Sequence, residues 1–331
     1  METDHVFHQR GTWLYPATGK AIELPRLIEN LSQKAVVLMG ETHDIPEIHR
    51  WQLHLITFLY TQRQDIMVGF EMFPRRCQPV LDEWVEGKLT TEQFIEKSEW
   101  YQVWGFPAEI YLPIFHFCRQ YRVRMLALNC YRELVTRVGK EGWDAVPIEE
   151  RDGLTPAASP LPGYWEHIQA MTQGMGMRRN SFDAKQKLAR EPLAAKKTAF
   201  LPRSSMDSAR FLRAMQTWDR AFACNIYHAY ETWQQKNKKA PLIVGILGRG
   251  HLEYGFGTPY QLFDLGIKNS AVLLPSMNEN WTLMPNILAG NGLPERPYAD
   301  AIFRLDMPEA RAIRKNMPKN ALSEAIEHKK K

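Results

Sequence analysis

Five apolar runs of strand length constrain the fold of this chain more than any other feature of its sequence. They are nearly continuous rather than alternating, as expected of strands covered on both faces. Segments with the apolar spacing of amphipathic helices separate several of them, for example Pro46 to Gln62. The runs are Ala35–Met39, Ile66–Phe70, Val123–Leu128, Leu242–Leu247 and Ala271–Leu274.

The alternation of strands and helices predicts an α/β fold with right-handed crossovers and a mostly parallel sheet flanked by helices. Residues 12–24 contain a turn signal between two short runs, which predicts a small hairpin ahead of the sheet. Two segments without convincing strands, 78–119 and 141–222, predict an inserted, smaller helical lobe. The sheet domain then comprises residues 1–77, 120–140 and 223–331.

Composition narrows the class of protein. At 331 residues and 44% hydrophobic composition the chain can bury a sizeable core, and its net charge of +5 lacks the bias of a nucleic-acid binder. The four cysteines show no CxxC spacing, so neither a zinc knuckle nor a disulfide framework is predicted. Without an apolar leader or a run long enough for a bilayer, the sequence predicts a cytoplasmic protein with no transmembrane segment.

Two strands end in the same unusual way. The run ending at Met39 passes into Gly40, Glu41, Thr42 and His43, and the run ending at Leu247 passes into Gly248, Arg249, Gly250 and His251. Two further strands end in polar residues, Glu71 and Asn129.

Because the carboxyl ends of parallel strands meet at one edge, these side chains are predicted to share a crevice. Glu41, His43, Glu71, Asn129 and His251 would converge there. Histidines with carboxylates either bind a divalent metal or supply a general base near neutral pH. The spacing alone does not choose between these roles, and a single histidine can simply cap a loop carbonyl. No GxSxG elbow or Walker lysine motif is present to suggest other chemistry.

With these motifs in place, the chain resembles the ChaN-like family of haem-binding proteins associated with iron uptake. That family lies within the superfamily of Tiki proteases, TraB-like proteins and erythromycin esterases. The resemblance spans most of the chain. It rests on the paired GxxH motifs and on the stretches VVLMGETHD, VGFEMFPRRCQPVLDEW, AMQTWDRAFACNI, LGRGHLEYGFGTPYQL and YADAIFRL.

The resemblance implies haem as ligand, held in at least one member as a facing pair by tyrosine at a homodimer interface. Tyr164, Tyr254 and Tyr131 are the candidate haem ligands, although each can equally be a packing aromatic. Gln216 and Asp219 belong to the QTWD stretch and are expected to face the crevice. Arg178 or Arg179 would meet the haem propionates.

The Tiki branch implies an alternative, a metal-dependent hydrolase. Glu41, His43 and His251 would then hold manganese, cobalt or zinc, while Glu71 or Asn129 assists a bound water. Catalysis is therefore left open, as is the possibility that the crevice only scaffolds a partner surface.

Overall fold

The computed structural model describes residues 5–170, 208–287 and 295–306. The strands in these ranges are β1 His5–Phe7, β2 Trp13–Leu14, β3 Ala21–Ile22, β4 Val36–Glu41, β5 Ile66–Pro74, β6 Arg124–Asn129, β7 Leu242–Gly248, β8 Ser270–Ser276, β9 Asn280–Thr282 and β10 Ala301–Arg304. The α-helices are α1 Leu24–Ser32, α2 Pro46–Gln62, α3 Gln78–Val85, α4 Thr91–Lys97, α5 Trp100–Val103, α6 Leu112–Gln120, α7 Arg132–Glu141, α8 over 162–170, α9 Ser208–Asn237 and α10 Thr258–Asp264.

Eight of these strands form one sheet in the order β3-β2-β10-β8-β4-β7-β5-β6. The pairs from β10 through β6 are parallel, while β2 pairs antiparallel with β3 and β10. Strands β1 and β9 form a separate antiparallel pair. The predicted α/β class, the mostly parallel sheet and the opening hairpin are confirmed.

All five predicted strands are present as β4 to β8, and their positions are buried with few exceptions. Burial on both faces explains why these strands read as continuous apolar runs. The short strands β1, β9 and β10 were not predicted, because runs of three or four residues carry little periodic signal.

The helical segment α3–α6 packs into the same hydrophobic core as the sheet. Phe70 and Phe73 of β5 contact Phe115, and Phe73 also packs against Phe94 and Trp100. The two-domain boundaries remain a prediction, and much of the segment 141–222, including Arg178 and Arg179, lies outside the described residues. No helix within the described ranges is long and apolar enough to cross a membrane.

Candidate functional site

The carboxyl ends of β4, β5 and β7 form the floor of a crevice at one edge of the sheet. Parallel pairing sets Glu41 at the end of β4 against Gly248 at the end of β7. Strand β5 runs past its predicted end at Phe70 to Pro74, with a shift in its pairing to β6. This extension carries Glu71 into the crevice floor, where it is buried.

Glu41 and His43 form the first acid–imidazole pair of the crevice. His43 Nδ1 lies 2.7 Å from Glu41 Oε1, and the hydroxyl of Tyr111 donates to the same oxygen at 2.8 Å. Burial opposes ionisation of Glu41, but the hydrogen bond from His43 and the nearby imidazoles together lower its pKa. Burial likewise opposes charge on His43, yet the hydrogen bond to Glu41 and the charge of Glu71 raise its pKa to about 9.

A second layer of side chains fixes this pair. Gln52 Nε2 reaches Glu41 Oε2 at 3.4 Å, and His49 Nδ1 lies 3.0 Å from Gln52 Oε1. The indole of Trp104 donates to the Tyr111 hydroxyl at 3.2 Å. Sequence reasoning missed these supporting residues. The available signal was that His49 and Gln52 are polar residues on the buried face of α2.

His251 and Asp219 form the second acid–imidazole pair. Asp219 is fully buried on α9, and its Oδ1 lies 2.9 Å from His251 Nδ1 and accepts from Thr258 Oγ1 at 3.0 Å. Its Oδ2 accepts from the hydroxyl of Tyr164. Burial opposes charge on His251, but Asp219 and Glu71 raise its pKa. Asp219 therefore orients His251.

Glu71 lies between the two pairs. Its Oε2 accepts from the backbone N–H of Gly248, and its Oε1 lies 3.9 Å from His251 Nε2. A β-carbon at Gly248 would lie 3.0 Å from His43 Cε1, so glycine leaves the room that the imidazole occupies. The structure thus brings Glu41, His43, Glu71 and His251 together. Asn129 instead donates to the backbone oxygen of Glu71 at 2.8 Å and supports the strand end.

Aromatic side chains form the walls beside the two imidazoles. Trp104 and Phe106 lie 4.7 and 5.4 Å from the ring of His43, between ring centroids. Phe222 and Trp218 lie 5.1 and 6.3 Å from the ring of His251. His43 keeps 32% of its side chain exposed and His251 only 10%, so solvent reaches the crevice mainly on the His43 side.

The donor geometry does not support the expected metal site. Within the described ranges, no three or more histidine, cysteine, aspartate or glutamate side chains are grouped so that they could hold a metal ion. The Nδ1 atom of each imidazole lies on a carboxylate, and both carboxylates accept further hydrogen bonds, from Tyr111 and from Thr258. The crevice is organised for hydrogen bonding and proton exchange.

The three candidate tyrosines lie in different surroundings. Tyr164 is 1% exposed, and burial together with the charge of Asp219 raises its pKa well above the usual range. Tyr254 is partly buried, its hydroxyl faces Met284 Sδ at 3.8 Å, and burial and Glu253 raise its pKa. Tyr131 is 39% exposed. Gln216 donates to the backbone oxygen of Ala158 at 3.2 Å.

Tyr131 lies on a rim of the sheet edge, outside the crevice. It follows β6, precedes α7, and lines a surface cavity with Glu133, Leu134, Arg137, Val146 and Glu150. The guanidinium carbon of Arg76 lies 6.0 Å from the centroid of its ring. We call Tyr131, Arg75, Arg76 and this cavity the tyrosine rim.

Comparison with known proteins identifies a matching family and several similar folds. A family model described as "Haem-binding uptake, Tiki superfamily, ChaN" matches residues 27–262. The solved structure of ChaN of Campylobacter jejuni, described by its cofacial haem binding, is 15% identical with a TM-score of 0.59. That match covers 89% of this chain and 96% of the ChaN chain, and at this identity it shows the fold alone.

Weaker likenesses accompany it. The erythromycin esterase EreC, solved as a mutant in an open conformation, is 11% identical with a TM-score of 0.41, over 80% of this chain and 76% of its own. A Bacillus cereus protein is 12% identical with a TM-score of 0.40, over 86% and 91%. These scores are too low to bear on chemistry. No curated protein matches the sequence.

Proposed function

Because the chain belongs to the haem-binding uptake family ChaN of the Tiki superfamily, we propose that it binds haem and serves haem or iron uptake. A haem site needs an accessible axial ligand, apolar contact for the porphyrin and cations for the propionates. The tyrosine rim offers all three in one place. Haem would supply an iron centre there, while the protein supplies the ligand and the binding surface.

Tyr131 is the candidate axial ligand that the geometry favours. An axial tyrosine must present its hydroxyl oxygen to the iron and give up its proton. Tyr164 is enclosed and donates its proton to Asp219, which raises its pKa, so it would have to break a buried hydrogen bond. Tyr131 is exposed beside a cavity with Leu134 and Val146 in its wall. This exposure is the observation that carries the proposal.

A haem titration tests the assignment. We expect purified protein to give a Soret band shifted from that of free haem, with the high-spin spectrum of tyrosinate ligation. Tyr131→Phe should abolish that spectrum, whereas Tyr254→Phe and Tyr164→Phe should retain it. Circular dichroism on each variant checks folding. An unchanged spectrum in Tyr131→Phe, or none with the wild-type protein, would contradict the proposal.

We propose further that two copies meet at the tyrosine rim when haem is bound. Ile148 lies two residues from each of the cavity residues Val146 and Glu150 and is 78% exposed, so apolar surface is present near the rim. Sedimentation velocity should then show a monomer becoming a dimer as haem is added. Ile148→Glu should block dimerisation, and a monomer at saturating haem would contradict the proposed dimer.

Cell fractionation tests the expected cytoplasmic location.

The crevice favours a second candidate function, acid–base catalysis of hydrolysis. Two carboxylate-oriented imidazoles flank Glu71, and the His43 pKa of about 9 keeps that ring protonated at neutral pH, as a general acid requires. His251 beside Glu71 would take a proton from an attacking water. The metal-dependent form of this function lacks the donor geometry described above, so no step is derived through a metal.

Hydrolysis of a panel of chromogenic esters and peptides tests the second function. Activity should fall as pH rises through about 9, because His43 then loses its proton. His43→Gln and His251→Gln should each abolish turnover, while Tyr131→Phe should leave it unchanged. Turnover that survives in both histidine variants would exclude the crevice as its source.

A further inference from the structure

We infer that Arg75 and Arg76 bind the propionate carboxylates of the tetrapyrrole, so that the rim selects the free acid over neutral or esterified porphyrins. This inference rests on the proposed haem function and deepens it. The two arginines that the sequence suggested for the propionates, Arg178 and Arg179, lie outside the described residues. Arg75 and Arg76 are exposed residues of the described part of the chain.

Strand pairing places the two arginines beside the tyrosine. Strands β5 and β6 are parallel neighbours, with Pro74 paired to Asn129. Arg75 and Arg76 follow Pro74, and Cys130 and Tyr131 follow Asn129, so the two segments leave the sheet together. Adjacent strands lie roughly 5 Å apart. The guanidinium of Arg76 lies over the ring of Tyr131, so a cation stands beside the proposed axial ligand.

Asp152 ties Arg75 to Tyr131. Its backbone oxygen accepts from Arg75 Nη1 at 2.9 Å, while its side chain accepts from the backbone N–H of Tyr131. One Asp152 oxygen, Oδ2, is buried without a hydrogen-bond partner. Burial raises the Asp152 pKa, although both arginines oppose this. Asp152 therefore acts as a geometric bridge between Arg75 and Tyr131.

The turn at 152–153 is shaped to admit the Arg75 side chain. Asp152 and Gly153 both adopt positive φ, at 52° and 70°. A β-carbon at Gly153 would lie 2.9 Å from Arg75 Nη1, so any larger residue would push the guanidinium away. The bond of Arg75 to a backbone oxygen leaves its charge available for an anion.

Arg76 contributes the second cation. Its Nη2 pairs with Glu99 Oε2 at 2.6 Å, and the side chains of both are more than a third exposed. Such exposed pairs contribute little free energy and exchange partners readily. A propionate can therefore replace Glu99, and the guanidinium stays beside the Tyr131 ring, 6.0 Å from its centroid.

The experiment compares haem with haem dimethyl ester, which lacks the two negative charges but keeps iron and ring. Affinities are measured by Soret titration for the wild type, Arg75→Gln, Arg76→Gln and the double variant. The matched control is Arg50→Gln, a distant exposed arginine paired with Glu47. We expect the wild type to prefer haem and each rim substitution to weaken haem about tenfold, the size of one charge-assisted hydrogen bond. Ester affinity and Arg50→Gln should not change.

Equal affinity of the wild type for haem and its ester would overturn the inference, as would an equal loss of both ligands in the double variant. Neither result contradicts the proposed haem binding, provided that Tyr131→Phe still abolishes the tyrosinate spectrum. Conversely, a wild-type spectrum retained in Tyr131→Phe would refute the Tyr131 assignment and this inference with it. Because both arginines are exposed, the variants are expected to fold, which thermal unfolding verifies.

Discussion

The crevice and the tyrosine rim lie at the same edge of the sheet and differ in how their polar groups are satisfied. In the crevice, Glu41 and Asp219 are fully buried, and each accepts hydrogen bonds from an imidazole and a tyrosine hydroxyl. At the rim, Tyr131 is exposed and its arginines hold a backbone oxygen and an exposed glutamate. The crevice is a buried hydrogen-bond network, and the rim is an open, partly charged surface. Stability should therefore depend on the crevice and hardly at all on the rim.

Replacing Asp219 is expected to have the largest effect. Asp219→Ala removes the acceptor of His251, Tyr164 and Thr258 at once and leaves buried donors without partners. The free energy of unfolding should fall by about 3–5 kcal/mol, measured by urea denaturation. The control is Glu83→Gln, whose partner Lys97 is exposed, and which should change it by less than about 0.5 kcal/mol. A loss below about 1 kcal/mol in Asp219→Ala would contradict this account of the crevice.

The second largest expected effect is a loss of stability at high pH, caused by His43 in the crevice. The pKa of His43 in the folded state is raised to about 9. At a pH above the usual histidine pKa, the folded state therefore binds more protons than the unfolded state does. Its stabilisation is present in full below about pH 6.5 and is lost as pH rises through about 9. After a discount for partial exposure, the expected loss is about 2–3 kcal/mol.

Denaturation curves between pH 6.5 and 9.5 measure this loss. His43→Gln should flatten the decline, whereas Tyr131→Phe should leave it in place. A decline of equal size in His43→Gln would assign it to another group.

A methyl group at Gly248 should have a smaller effect. The added carbon of Gly248→Ala would approach His43 Cε1 to 3.0 Å and Glu71 Oε2 to 3.3 Å, so the imidazole must move. We expect a loss of about 2 kcal/mol, together with a changed His43 titration in NMR. Gly139→Ala in α7, where the nearest contact is an ordinary 3.4 Å, should be neutral or slightly stabilising. Equal behaviour of the two variants would mean that Gly248 does not confine His43.

The smallest expected effect is the difference in the free energy of unfolding between Tyr164→Phe in the crevice and Tyr131→Phe at the rim. Tyr164→Phe deletes a buried donor to Asp219 and should lower the free energy of unfolding by about 1 kcal/mol. Tyr131→Phe deletes an exposed hydroxyl and should change it by less than about 0.5 kcal/mol. The same urea series measures both. If Tyr131→Phe were the more destabilising, the rim would hold the fold together as the crevice does.

The sequence by itself determined the α/β class, the positions of the central strands along the chain and the strand ends that form the crevice. Continuous apolar runs report burial on both faces, and parallel strands place their carboxyl ends together, so Glu41, His43, Glu71 and His251 could be named in advance. These features depend on local pattern and on a general rule of sheet topology.

Only the tertiary structure decided which side chains complete each pair. Tyr111 reaches Glu41 across a sequence separation of 70 residues, and Asp219 reaches His251 across 32. Such contacts depend on helix packing and side-chain direction, which no periodicity encodes. Side-chain direction also decided the role of Asn129, whose amide donates to the backbone oxygen of Glu71. The exposure of each tyrosine likewise depends on the elements packed around it.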